Sequence, residues 1–125
     1  MPEIPEIHRR GEREPFRTKD GSTVTELVHP GFSVARGQSV AEAVVAPGGE
    51  TAEHFHHRSE EIYLFTAGGG RMALGEEVFE VGVGEAVVIP PGTPHKLWNP
   101  GTKDLVLLCL CAPAYSHEDT VLTGN

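Results

Sequence analysis

The sequence predicts an all-β chain folded as a sandwich or barrel, and three observations carry that expectation. Fifteen glycines and ten prolines are scattered along 125 residues, punctuating short segments at close intervals. The segments between them alternate apolar and polar residues or are rich in β-branched ones. No stretch of a dozen residues free of Gly and Pro carries a helical period. A chain this long is expected to make one domain and to bury a core without disulfides.

The elements follow in order. Residues 1–20 read as a polar, Pro-containing arm, and residues 21–125 as one folded unit with a C-terminal tail. Thr23–Val28 alternates and is β-branched, which predicts a strand. Ser39–Ala46 is a second, stopped by Pro47, Gly48 and Gly49. Thr51–His57 and Glu61–Thr66 read as strands joined by a short polar turn at Arg58–Ser59. Gly68, Gly69 and Gly70 read as a turn. Arg71–Leu74 and Glu77–Val81 pair across Gly75 and Glu76, a hairpin signal. Glu85–Ile89 ends at Pro90-Pro91-Gly92, and His95–Asn99 at Pro100-Gly101. Asp104–Ala112 is wholly apolar after its first residue and reads as a strand buried on both faces. The tail from Pro113 is polar and is expected to wrap the outside.

Composition narrows the function classes. The formal charge is −8, and the basic cluster His8, Arg9, Arg10 and Arg13 is diluted by Glu12 and Glu14, so no nucleic-acid partner is expected. Hydrophobic residues make up 38% of the chain, with no run near the ~20 needed to cross a bilayer, so no membrane partner is expected either. The N-terminus lacks the apolar core of a signal peptide, and a cytoplasmic location is the expectation. Cys109 and Cys111 stand two apart in an apolar run, about 6.6 Å at Cα on one strand face, the upper edge of disulfide geometry. They read as small buried hydrophobes. A soft metal or redox pair is the alternative, and apolar surroundings argue against it by raising a thiol's pKa.

The chemistry concentrates in the histidines. Of the seven, three lie at 54, 56 and 57, and His95 follows Pro90-Pro91-Gly92. On a strand His54 and His56 share a face and can converge on one ion, while His57 points away. Glu61 opens the next strand, and in a hairpin its carboxylate can return to the face of the His pair. His95, from a distant strand, can supply a fourth ligand if the sheet closes on itself.

Two segments built on these residues resemble the two cupin motifs. The first runs Gly48, five residues, His54-x-His56, four residues, Glu61, six residues, Gly68. The second runs Gly84, five residues, Pro90-x-Gly92, two residues, His95, three residues, Asn99. From the chain's own composition the joint chance of both is on the order of 10⁻⁷. Glu85 stands where the family often has Asp. The resemblance implies a jelly-roll barrel, a double-stranded β-helix, holding one divalent transition metal through His54, His56, Glu61 and His95. It also admits Glu60 as the acidic ligand. Strand parity favours Glu61, which shares a face with Tyr63 and Phe65. Tyr63 is a candidate pocket hydroxyl and, with Glu61, a candidate catalytic residue. Phe55 and His57 are expected to face away, and Asn99 to bond backbone. Gln38, Arg71, Met72, Leu97 and Trp98 are candidates for the cavity border. The segment Pro113–Thr120 resembles the tail of small bacterial cupins that include polyketide-cyclase-like members. It is expected to tie itself to the barrel or to a partner subunit, with Tyr115 or His117 closing the mouth as the alternative.

Three imidazoles and a carboxylate leave positions open on an octahedral ion. Fe, Mn, Ni, Cu and Zn all suit the donors, since affinity follows the Irving–Williams order and availability decides. Two function classes follow. One is a metal-dependent enzyme on a small organic substrate, a dioxygenase with a redox ion or an isomerase or cyclase with a Lewis acid. The other is a non-catalytic module that binds or senses a metal and a small ligand. A homodimer is expected, with the arm and Thr23–Val28 adding to a partner's sheet.

Overall fold

The computed structural model describes residues 5–123, so the first four residues of the expected arm and the last two of the tail lie outside the described residues. The strands are β1 (Phe16–Arg17), β2 (Thr23–Val28), β3 (Ser39–Val45), β4 (His54–His56), β5 (Glu60–Ala67), β6 (Gly69–Leu74), β7 (Glu77–Gly82), β8 (Ala86–Ile89), β9 (His95–Trp98), β10 (Leu105–Ala112) and β11 (Thr120–Leu122). One 3₁₀ turn, Arg10–Glu12, is the helical element among the described residues. The strands form an antiparallel sheet in the order β1-β2-β3-β10-β5-β8 and a second in the order β11-β4-β9-β6-β7. The two close over one core as the expected jelly-roll. No helix of the described residues is long and apolar enough to cross a membrane.

Alternation sets the inward faces. β3 buries Ser39, Ala41, Ala43 and Val45 and turns the residues between them outward. Register then stacks inward residues in rows across neighbouring strands. Glu61, Cys111 and Ser39 form one row, and Tyr63, Cys109 and Ala41 the next. Deeper along the strands lie Phe65, Leu107 and Leu105, each 1% exposed or less. The interior is therefore polar at one end and aliphatic and aromatic at the other. The aliphatic end supplies the packing that makes the barrel stable, at about 25 cal/mol per Å² of apolar surface removed from water. The polar end holds the site.

Several expectations are corrected. β4 and β5 do not form a hairpin: they belong to different sheets, and the turn between them crosses from one wall to the other. Only Gly68 acts as the turn; Gly69 and Gly70 enter β6. Gly68 has φ +74, and a Cβ there would collide with the Asp104 carbonyl oxygen. β10 is apolar on both sides but buried on one, with Val106 and Leu108 part-exposed. β2 is only partly a free edge, because β1 pairs with it at Thr23 and Val24. The expected arm thus joins the sheet from Phe16 onward.

Candidate metal centre

β4 projects His54 and His56 into the barrel, 3% and 5% exposed, as strand parity predicts. β9 lies beside it with His95 paired to His54, and His95 is fully buried. The loop carrying Pro90-Pro91-Gly92 is fastened to β4 by Gly92 N–H donating to His56 O at 2.7 Å. Gly48 N–H donates to Asn99 O at 2.7 Å, and Asn99 N–H to Gly49 O at 2.9 Å. The two motifs, distant in sequence, are bolted together by backbone.

Each imidazole is held by its Nδ1. His54 donates to Ala52 O at 2.9 Å, and His95 to Thr93 O at 2.9 Å, because a carbonyl can only accept. His56 Nδ1 meets Thr120 Oγ1 at 3.0 Å, while that hydroxyl spends its proton on Ser116 O at 2.9 Å. The hydroxyl must therefore accept from His56 Nδ1–H. With all three Nδ1 atoms protonated, neutral rings present Nε2 lone pairs inward. The three rings offer ligand atoms within 4.8 Å of one another.

Glu61 reaches this group from the opposite sheet. Its Oε1 stands 3.1 Å from His56 Nε2 and 3.4 Å from His95 Nε2. The second contact lies outside hydrogen-bond geometry, so His95 Nε2 is buried without a hydrogen-bond partner among the described residues. Its influence on Glu61 is electrostatic. Glu61 Oε2 accepts from Cys111 Sγ at 3.3 Å. Burial alone would raise the Glu61 carboxyl, but a hydrogen bond from His56 Nε2, which forms when that nitrogen carries a proton, and the neighbouring His95 outweigh it and bring it to about 2. Burial, then the neighbouring His95, lowers His54 and keeps that ring neutral.

These observations fit a divalent cation. Imidazole nitrogens and a carboxylate face one another in a buried site, and His95 Nε2 has no hydrogen-bond partner among the described residues. A cation among them satisfies all of these donors at once. The donor set, three imidazoles and a carboxylate, suits the first-row divalent ions.

Other residues fall as follows. Tyr63 is 4% exposed and sets its ring edge-on to His95 at 5.7 Å. Burial, then Glu61, pushes its phenol up, so it stays a hydrogen-bond donor. Glu60 is exposed, and Phe55 and His57 face away. Asn99 Nδ2 donates to Val45 O at 2.8 Å and Lys103 O at 2.7 Å, a backbone role as expected. Leu97 lines the cavity, whereas Met72 belongs to the core and Gln38 and Arg71 are exposed. Trp98 packs under Lys96 on the outside. Cys109 and Cys111 are free thiols, and both line the cavity. Burial pushes both upward, so neither offers a ready thiolate. Cys111 is more than the expected hydrophobe, since it donates to Glu61.

The tail does what its polarity suggests. β11 pairs with β4, and Asp119 accepts from Arg58 N–H at 2.9 Å and Ser59 N–H at 3.1 Å. Tyr115 lines the cavity with its ring 6.1 Å from that of His56, while His117 lies in an outer groove. The cavity itself has a volume of about 50 Å³. Its lining includes Asp20, Glu26 and Glu61 but no Lys or Arg among the described residues. Sequence reasoning missed Asp20, Glu26 and Thr120. Asp20 has a signal in Thr18-Lys19-Asp20-Gly21-Ser22, a turn composition, at the end of the residues that read as arm.

Comparison with known proteins agrees with this geometry. A cupin-domain family model matches residues 41–111. The chain is 50% identical over 107 residues to the uncharacterised protein MJ1618 of the archaeon Methanocaldococcus jannaschii, covering 86% of each. It is 33% identical over 78 residues to the mannose-1-phosphate guanylyltransferase RfbM of Salmonella typhimurium, spanning 62% of this chain but only 16% of that protein. Among solved structures, the nucleoside dehydratase Pac13 of Streptomyces superposes with TM-score 0.78 at 22% identity, over 96% of this chain and 92% of that one. A predicted oxalate decarboxylase of Thermotoga maritima gives TM-score 0.76 at 21% identity, over 86% and 99%. At such identities the structural likeness is one of fold. The family match, the archaeal relative and the jelly-roll together establish that the chain belongs to the cupins.

Proposed function

We propose that the protein is a metal-dependent enzyme, holding one divalent transition-metal ion through His54, His56, His95 and Glu61 and acting on a small organic molecule in the barrel. The observation that carries this reading is the anchoring of all three Nδ1 atoms, which turns three Nε2 atoms toward one point, with His95 Nε2 lacking a hydrogen-bond partner among the described residues. When bound, such an ion supplies Lewis acidity or, if redox-active, oxygen chemistry. Tyr63, kept protonated by burial, donates a hydrogen bond to a ligand oxygen. Glu61, kept ionised, accepts from a ligand or holds the centre's charge. Val24, Ala41 and Ala43 form an apolar wall of the cavity.

The second reading is a module that binds metal and ligand without turnover, which the same donors and the same cavity would serve. Metal analysis of protein purified without chelator or a nickel column tests the centre. One ion per chain, lost in His95→Gln, is expected; a metal-free wild type that takes up none of the five ions sinks it. Ligand binding without turnover or oxygen uptake would select the second reading. We also propose a homodimer, supported by Val78, Val83 and Val88, which are 58%, 65% and 56% exposed along the β7–β8 stretch.

A further inference from the structure

Asp20 sits in the turn between β1 and β2. Thr18 N–H donates to Ser22 O and Gly21 N–H to Thr18 O, both at 3.0 Å, with Gly21 at φ +92. The side chain is built into this turn. Its Oδ1 accepts from Thr18 Oγ1 at 2.6 Å, Ser22 Oγ at 2.7 Å and Ser22 N–H at 2.9 Å. That oxygen is fully engaged. The other, Oδ2, stands 3.7 Å from His54 Nε2, with the two side chains 13% and 4% exposed.

The two residues are rigidly related. Ala52 N–H donates to Asp20 O at 2.7 Å, and Ala52 O accepts from His54 Nδ1 at 2.9 Å. One residue thus holds the turn and orients the ring. His54 Nε2 turns a lone pair toward a carboxylate oxygen, a pairing that a nearby cation makes favourable. The adjacent Lys19 does not serve: its Nζ donates to Thr120 O at 2.8 Å and His117 O at 3.4 Å, on the tail.

A divalent ion held by three neutral imidazoles and Glu61 keeps one unit of positive charge. In a buried site that charge attracts small anions. We infer that Asp20 is a second carboxylate of the centre, which cancels this residual charge, so that the cavity selects uncharged hydroxyl- or amide-bearing ligands over anions. The inference rests on the metal-binding reading proposed above. The rest of the cavity agrees. No Lys or Arg lines it among the described residues, and Glu26 adds a third carboxylate on its wall.

The test uses the full chain loaded with Co(II), with azide as the anionic probe. Cobalt affinity is measured by competition with a chelator and azide binding by the visible spectrum. Asp20→Asn keeps an oxygen for Thr18 and Ser22 to donate to and removes the charge. It is expected to weaken cobalt binding by about 10–100-fold and to tighten azide binding by about tenfold or more. A protein lacking only a structural contact would not gain azide affinity. Unchanged cobalt and azide affinities in Asp20→Asn overturn the inference while leaving the centre intact. Azide saturating the wild type below about 1 mM also overturns it, and this arm needs no variant to fold. A wild type that binds no cobalt overturns both this inference and the centre itself.

Discussion

His56 is oriented at Nδ1 by Thr120 Oγ1, and its Nε2 faces Glu61 Oε1. Thr120→Val removes the acceptor that selects the tautomer while keeping the volume. It should lower metal affinity by about 10–100-fold, measured by chelator competition. Glu61 carries a pH signature. Its carboxyl falls from 4.5 to about 2 on folding, so its stabilisation is present above 4.5 and is lost as pH falls toward 2. Buried neutral His54, lowered from 6.5, adds loss in the same direction, beginning as pH drops below that value. Metal-free Glu61→Gln should therefore show a flatter urea-midpoint profile between pH 4.5 and 2 than the wild type. An unchanged slope would refute the assignment. At this scale the convergence of His54, His56, Glu61 and His95 was legible because strand parity and motif spacing act locally. Thr120 and Asp20 were not, because their contacts with His56 and His54 join residues 64 and 34 positions apart through side chains that composition does not mark.

The elements were legible where Gly and Pro end them, as at Pro90–Gly92 and in the β6–β7 hairpin. What was missed is pairing. A short polar turn after β4 looks like a hairpin, yet the chain changes sheets there, and only the closed barrel decides this. Counting from either end of β5 also fails at one place. Val106 pairs with Ala67 and Leu107 with Phe65, so Thr66 is a bulged residue, its Oγ1 donating to Val106 O at 3.3 Å. Parity served for Glu61 and Tyr63 because both precede the bulge. Gly68, just beyond it, meets the turn into β10. Gly68→Ala must bear a positive φ and a backbone collision, so it should lose at least about 2 kcal/mol of stability by urea unfolding. Gly84→Ala, with nothing within 4 Å of its Cβ, bears the positive φ alone and should lose less.

The whole molecule is an acidic barrel with its chemistry at one end. The proposed homodimer predicts a light-scattering mass of twice 13.5 kDa at micromolar concentration, and a mass of one chain would exclude it. Val88→Lys should shift the equilibrium toward monomer if the β8 side is the contact. Neither chain length nor composition indicates which edge pairs. β1 takes part of the edge that Thr23–Val28 was expected to offer, because Phe16–Arg17 reads as arm in the sequence and only the hydrogen-bonding ladder makes it a strand.

The tail strand β11 carries the hydroxyl that orients His56, so attachment of the tail and occupancy of the proposed centre would share one free energy. Linkage makes that coupling reciprocal: whatever strengthens the centre also holds the last residues down. A protease that cuts only the detached tail therefore becomes a gauge of the interior. Adding metal should slow cleavage near Ser116–Thr120, and Thr120→Val should weaken that protection even at saturating metal. The C-terminus, remote from the ligands in sequence, is where the state of the barrel can be read from outside.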